Sequence, residues 1–462
     1  MARSPDLQPP ADAGGWAGRP SGVPATVPPP SIPLSFLAAS AAGLIACGVA
    51  WIWVRGVAAA DPNADPVVAA VHLGVLATLS MAILGATHQF TPVITGRPLR
   101  SLRVARLTFV TWLGASWMLP LGVGLEVAGV TAASGALAGV AVVLLAWNLA
   151  SPLSVRGKGT PVTALRLAIA GALSTAFLGA AFVGDRQGSW FALDDHVDLA
   201  MGVLGLFAWL GITYIGVAEK LWPMFMLAHL PGPHRSGRAA VWGTWLGAAA
   251  LAGGLSHGVP VAALSGAAVL ATGLGAHLVS LWAHIRHRRR GADLHLAFVL
   301  TSAAWLLVGA GLGLASALVV SHHRAEGVAL AAAAMAACGG WLLEALVGHA
   351  HKVVPFIVWS LLRSRGAGTG PSGKPLMFAD LYHHGLAAVT YGTVTAGIAA
   401  LCVGLGASAP IATAAAGGLL VATGLVVAVN LSMRPLRLLS RTQVPRRRRV
   451  ELASPAGALD AS

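Results

Sequence analysis

The chain has 462 residues, of which 56% are hydrophobic and only 10% charged. A soluble globular protein carries about 25% charge, and apolar runs of 18 residues or more recur along the length, so a water-soluble fold is excluded and a polytopic membrane protein is expected. The formal net charge of +14 does not mark a nucleic-acid binder, because Lys and Arg gather in the loops between apolar runs, as the positive-inside rule requires.

In chain order, residues 1–32 are rich in Pro, Gly and Ala and lack a basic-plus-apolar signal core. They read as a disordered tail. Twelve helices are then predicted, over 33–55, 67–94, 104–128, 131–150, 162–184, 196–227, 239–256, 259–285, 295–319, 326–361, 377–405 and 409–432. Backbone polar groups in lipid must be satisfied within the segment, so spans of this length are helical. The membrane domain is thus 33–435, and residues 436–462 form a basic tail carrying Arg446 to Arg449, suited to a cytoplasmic stop at anionic lipid.

One set of loops carries Arg97, Arg100, Arg103, Arg106, Arg156, Lys158, Arg166, Arg235, Arg238, Arg286, Arg288 to Arg290, Arg363, Arg365 and Lys374. The alternate loops carry Asp61, Asp65, Asp185, Asp194 and Asp195, with Arg324 and Glu326 and little else. This parity puts both termini in the cytoplasm of a multi-pass plasma-membrane protein.

Three segments end alike: Gly85-Ala-Thr-His88-Gln89-Phe-Thr-Pro92, Gly216-Val-Ala-Glu219-Lys220-Leu-Trp-Pro223 and Gly348-His349-Ala-His351-Lys352-Val-Val-Pro355. Each has an ionisable residue three after the glycine, a polar or basic one at four and proline at seven. The glycines lie 131 and 132 residues apart. The copies close the second, sixth and tenth helices, so the expected fold is an all-α bundle of twelve transmembrane helices in three pseudo-symmetric four-helix units. Repeated helix blocks are frequent in transporters, more often as two halves.

Ionisable residues inside spans are functional candidates, because burying them is costly. His72 and His88 share one helix, sixteen residues or roughly 24 Å apart, and cannot share a metal. His72, set among apolar residues near the outer face, reads either as an axial haem ligand or as a helix-end histidine bonded to a carbonyl. His196, within the Asp194-Asp195-His196-Val-Asp198 cluster, is a ligand candidate or part of a plain helix cap. His257, His322 and His323 read as loop residues.

On the inner side, His88, Glu219 and His351 occupy the same repeat position at one depth, with His349 beside them. Two histidines and a carboxylate suit zinc, iron or copper, but each could instead reach the headgroups beside its Gln or Lys neighbour. His277 reads as satisfied by packing, His284 and His287 as part of a solvated basic loop. His383 and His384 open the eleventh helix. Trp51, Trp53, Trp222 and Trp359 read as an interfacial belt. Cys47, Cys338 and Cys402 are too dispersed for a disulfide framework or zinc site and read as packing residues. No phosphate-cradling loop, zinc-protease motif or serine elbow occurs.

The twelve helices, the cytoplasmic termini and the stretch from His72-Leu-Gly to Pro92-Val-Ile-Thr-Gly-Arg-Pro-Leu99 and Arg106-Leu-Thr-Phe resemble subunit I of the haem–copper oxidases and nitric oxide reductases, over about residues 33 to 435. The resemblance implies that His72 is an axial ligand of a low-spin haem b. It also implies a catalytic centre that this chain departs from. The seventh helix has no internal histidine, position 200 is Ala where the pattern has Tyr, and the single His-x-His, His349-Ala-His351, lies too far inward. His196 is then the remaining candidate for a second haem ligand. The spacing of His72 and Gly85, followed by Gly96-Arg97-Pro98, is also similar to the NnrS family of haem- and copper-containing membrane proteins linked to nitric oxide.

These similarities imply a haem-binding protein of electron transfer, or of nitric oxide- or copper-linked respiration, without the standard oxygen-reducing centre. The alternative is a copper or zinc transporter or handling protein using His88, Glu219, His349 and His351. If it is an enzyme, it is an oxidoreductase of the terminal oxidase or nitric oxide reductase type. Expected partners are the lipid bilayer and a periplasmic redox partner or cupredoxin, within a homo- or hetero-oligomer; nucleic acid is not among them.

Overall fold

The computed structural model describes residues 26–441, apart from 158, 189–192, 194–195, 231–234, 319–322, 366–368 and 370–374. The terminal tails, the C-terminal arginine run, Lys158, Asp194, Asp195, His322 and Lys374 lie outside or almost wholly outside the described residues. Among those described, the chain is helical, with an isolated bridge between Thr369 and Pro375 as its β pairing.

The helical rods are α1 (Ser31–Ala60), α2 (Asp65–Thr95), α3 (Leu102–Gly124), α4 (Ala128–Leu153), α5 (Gly159–Gly188), α6 (Val197–Met226), α7 (Arg235–Ser256), α8 (Pro260–Arg286), α9 (Leu294–Leu318), α10 (His323–Met335 continuing through Ala336–Leu343 and Glu344–Ser364), α11 (His384–Gly406) and α12 (Pro410–Arg441). Eleven of them are long and apolar enough to cross a membrane, and α7 is not among the eleven. The start expected at 377 for the eleventh helix moves to His384. Residues Phe378–Leu381 instead form one 3-10 turn, closed by the Asp380 carboxylate accepting from Met377 N–H at 2.9 Å.

Large apolar side chains face outward along the rods, among them Trp53, Phe177, Val261, Leu264, Leu307 and Ile411. A water-soluble protein would bury such a surface; here it is the face a bilayer covers. Between the rods, small residues let backbones approach, as in lipid-embedded helix pairs. A Cβ on Gly273 would come within 2.2 Å of the Thr244 backbone, so α7 and α8 touch main chain to main chain.

The three central helices share a local feature that the sequence did not announce. In α2, α6 and α10 an eight-residue π-helical stretch interrupts the α-helix: Leu73–Ser80, Leu204–Gly211 and Ala336–Leu343. Each begins twelve residues before the repeat glycine. A π segment leaves carbonyls without their usual partner, and such insertions concentrate at functional sites. Here neighbouring helices supply donors: Trp112 Nε1 to Leu76 O at 3.1 Å, Ser40 Oγ to Thr78 O at 2.8 Å and Ser302 Oγ to Trp341 O at 2.7 Å.

Contacts at equivalent places recur. A Cβ on Gly85, Gly216 or Gly348 would meet the Cβ of Phe36, Ala164 or Phe298 at 2.6, 2.3 or 2.4 Å. Eight residues before those glycines stand Ala77, Ala208 and Gly340. The first two face Gly43 and Gly171, while Gly340 makes room for Trp305. Asn148 Oδ1 accepts from Ser101 N–H, opening α3, just as Asn430 Oδ1 accepts from His383 N–H, opening α11.

The basic loops meet at one end of the bundle. Arg166 holds the Leu153 carbonyl, Arg97 reaches Ser154, and the Arg289 and Arg290 N–H groups donate to Met226 O.

Candidate functional site: a buried ring cluster near the basic end

His72 is half-buried in α2, and its Nδ1 donates to Val68 O at 2.8 Å, which leaves Nε2 as the lone-pair nitrogen. His196 is solvent-exposed immediately before α6, so it does not sit inside the bundle as an opposing haem ligand would. An apolar cavity of about 50 Å³ opens beside the π stretch of α2. It is lined by Val71, Gly74, Met335, Cys338 and Ile398 among others, and His72 is not in its wall. Ligand pockets of cofactor size hold roughly 300–1,000 Å³. The residues present therefore do not fit a haem between His72 and this cavity.

The four inner candidates separate. His88 stacks on Phe36 with ring centres 5.5 Å apart, and His351 stacks in the same way on Phe298 at 6.0 Å. Glu219 accepts from Ser280 Oγ at 2.5 Å and packs against Gly237. Each turns toward neighbours in its own part of the repeat, which is why equal depth does not bring them together. Among the described residues no group of three His, Cys, Asp or Glu side chains is placed to hold a metal ion.

His349 belongs to a different assembly. Its Nδ1 donates to Ala345 O at 2.7 Å, and its ring centre lies 4.7 Å from that of His295, the second residue of α9. Tyr214 of α6 sits edge-on to His349 at 5.9 Å and to His277 of α8 at 5.6 Å. Trp222 stacks on His277 at 5.1 Å and meets His284 at 5.7 Å. Trp341 and Phe225 complete the cluster.

This buried cluster is short of hydrogen-bond partners. The Nε2 atoms of His295 and His349, Nδ1 of His277 and the indole N–H groups of Trp222 and Trp341 have none, five of thirteen such buried side-chain atoms among the described residues. Buried polar groups are nearly always paired, so five orphans in one place mark a ligand or water site.

Three readings of the sequence are corrected. His284 is 1% exposed within α8, not part of a solvated loop, because α8 runs on to Arg286. Trp51 and Trp222 are buried, not interfacial, since each fills space against neighbouring helices. His277 is packed but not satisfied, since its Nδ1 has no partner. His295 and Tyr214 escaped notice because neither falls in the repeat. The signal that could have found them is the scarcity of tyrosine: Tyr214 and Tyr382, two of only three in the chain, lie against histidines.

Charge borders the cluster. Lys352 Nζ donates to Asp293 Oδ2 at 2.6 Å, and Arg290 approaches the same oxygen at 3.7 Å. Burial alone would raise the Asp293 carboxyl. The Lys352 hydrogen bond and charge, the Leu296 N–H and Arg290 outweigh it and hold the group below the ordinary carboxylate value. Next to it, burial and the Asp293 charge push the Tyr382 phenol up.

The sequence matches no protein-family model, and no curated protein is significantly similar to it.

Proposed function

We propose that the chain is a copper-handling membrane protein that takes one monovalent copper ion as cargo between His295 and His349. The proposal includes α7 as the twelfth span, three four-helix units about an axis along the membrane normal, and cytoplasmic termini, which puts this site near the cytoplasmic face.

One observation carries it: two buried imidazoles from adjacent helices, 4.7 Å apart, both with unpartnered Nε2 atoms. The His349 Nδ1 bond to a backbone carbonyl fixes the tautomer that leaves Nε2 free to ligate, a recurring arrangement at metal sites. With metal–nitrogen bonds of about 2 Å, two imidazoles on one ion have ring centres about 5 Å apart at a tetrahedral angle and about 6 Å apart in line, so the rings at 4.7 Å must turn and move apart to take the ion. Monovalent copper accepts two imidazoles, whereas zinc completes a tetrahedron that no third His, Cys, Asp or Glu here supplies.

The test is anaerobic copper(I) loading of detergent-solubilised protein in competition with a chromogenic chelator. One ion per chain is expected, with binding lost in His349→Ala and His295→Ala and kept in His88→Ala. Copper retained by the double variant, or none bound by the wild type, overturns the reading. A Soret band lost in His72→Ala would replace it with the haem-binding electron-transfer function that the oxidase resemblance implies.

A further inference from the structure

Glu344 stands where the other two central helices carry Met81 and Ile212, the first residue after the π stretch. It lies seventeen residues from the start and twenty from the end of the apolar span Gly327–Ser364, roughly 25–30 Å of helix from either end. Its side chain is 0% exposed. Oε1 accepts from Thr395 Oγ1 of α11 at 2.8 Å, and Oε2 has no partner.

No charge compensates this carboxyl. Among the described side chains, the other titratable groups are Cys338, His349, His351, Lys352 and Arg363 on its own helix, His384, Tyr391 and Cys402 on α11, His295 on α9, and Cys47 and Arg55 on α1. None acts on it, and Thr395 is the polar group that does. An isolated carboxylate in such a setting is far too costly to keep, and a mid-span acid whose one partner is a neutral hydroxyl is a functional candidate by default. One hydroxyl beside the carboxyl is too few oxygens for a calcium ion, which takes six to eight. The apolar cavity of about 50 Å³ has Leu343 and Ile398 of these two helices in its wall, one residue and three residues from Glu344 and Thr395, which are not themselves in the wall.

We propose that Glu344 is a proton-binding site in the membrane interior, carrying one proton on its carboxyl and exchanging it with water that enters between α10 and α11. The site is independent of the copper reading: it uses other residues and a different ligand.

Infrared difference spectroscopy of the full chain in liposomes tests it. The wild type should show the carbonyl stretch of a protonated carboxylic acid, shifted in D2O and disappearing on alkaline titration. Glu344→Gln, which keeps the Thr395 hydrogen bond, should lack that band while eluting and melting as the wild type does. Under a potassium-diffusion potential, proton flux read by an entrapped pH dye should fall roughly tenfold or more in Glu344→Gln and partly recover in Glu344→Asp. Should that variant fold poorly, dicyclohexylcarbodiimide, which modifies protonated buried carboxyls, should label Glu344 in the wild type, less as pH rises. A band that neither exchanges with deuterium nor titrates, flux unchanged in Glu344→Gln, or labelling unaffected by pH would overturn the proposal. Flux that follows sodium instead of protons would do the same.

Discussion

The Tyr214 and His349 rings meet edge to face, 5.9 Å apart at 86°, and join α6 to α10 inside the bundle. Through Tyr214 the His295–His349 pair connects with His277 and Trp222, so two otherwise separate polar groups share one wall. Tyr214 makes ring contacts with both.

That position makes Tyr214 a discriminating target. Tyr214→Phe keeps the ring contacts, so the melting temperature of the solubilised protein should stay within a few degrees of wild type, and copper(I) affinity should change by less than about tenfold. Tyr214→Ala removes a buried aromatic, costs roughly 3–5 kcal/mol and should release the copper. If Phe and Ala behave alike in both assays, the ring does not position the histidine pair.

The Asp293–Lys352 pair sets an acid limit on stability. Asp293 is held below its ordinary value, so its contribution is full above the unfolded value of 3.8 and is lost as pH falls through the lower folded value. Melting followed from pH 7 down to pH 2 should therefore show a loss confined to the acid end. Asp293→Asn should remove that dependence and lower stability at neutral pH by roughly 1.5–3 kcal/mol, the worth of a charged hydrogen bond. A variant with the wild-type acid limb would place the titration elsewhere.

Close backbone approach at Gly171 gives a packing test. A methyl there would sit 2.0 Å from the Ala208 carbonyl in the second π stretch, whereas one on Gly275 would meet nothing within 4 Å. Gly171→Ala should destabilise by roughly 1–3 kcal/mol through overpacking. Gly275→Ala should be neutral or slightly stabilising, as expected in a helix interior. Equal melting temperatures for the two variants would contradict the α5–α6 contact.

Much of the fold was legible because lipid simplifies the code. Apolar run length gives the spans, so the rods fall within a few residues of their expected places, except that α11 starts at His384 instead of 377 and α12 runs on to Arg441 instead of 432. The Gly-to-Pro repeat was also legible, since Gly85, Gly216 and Gly348 each meet a first-helix Cβ. The π stretches were not, because an inserted residue leaves no mark in an all-apolar run. The site was half legible. His349 stood out by composition, but its partner His295 sits 54 residues away on another helix, and helix rotation decides which histidines meet. His88, Glu219 and His351 show the cost of reading depth alone: they share a level and turn apart. Glu344 was passed over because it falls outside the repeat.

The pair Trp305 and Gly340 gives the sharpest test of the threefold plan. Before the first two copies of the Gly-to-Pro repeat, a glycine on a neighbouring helix faces an alanine in the π stretch, Gly43 of α1 with Ala77 and Gly171 of α5 with Ala208. Before the third the sizes are exchanged, and a Cβ on Gly340 would lie 2.3 Å from the Trp305 ring. Gly340→Ala alone should cost roughly 1–3 kcal/mol by overpacking, and Trp305→Gly alone roughly 3 kcal/mol by opening a void. The double variant rebuilds the glycine–alanine contact seen at Gly43–Ala77 and Gly171–Ala208, so its loss should fall short of the sum by about 1 kcal/mol or more, as for residues in contact. Chemical denaturation of the four proteins in mixed micelles measures the cycle. Additive losses would mean that the third unit has settled into a packing of its own, and that equivalence at this layer does not extend to its energetics.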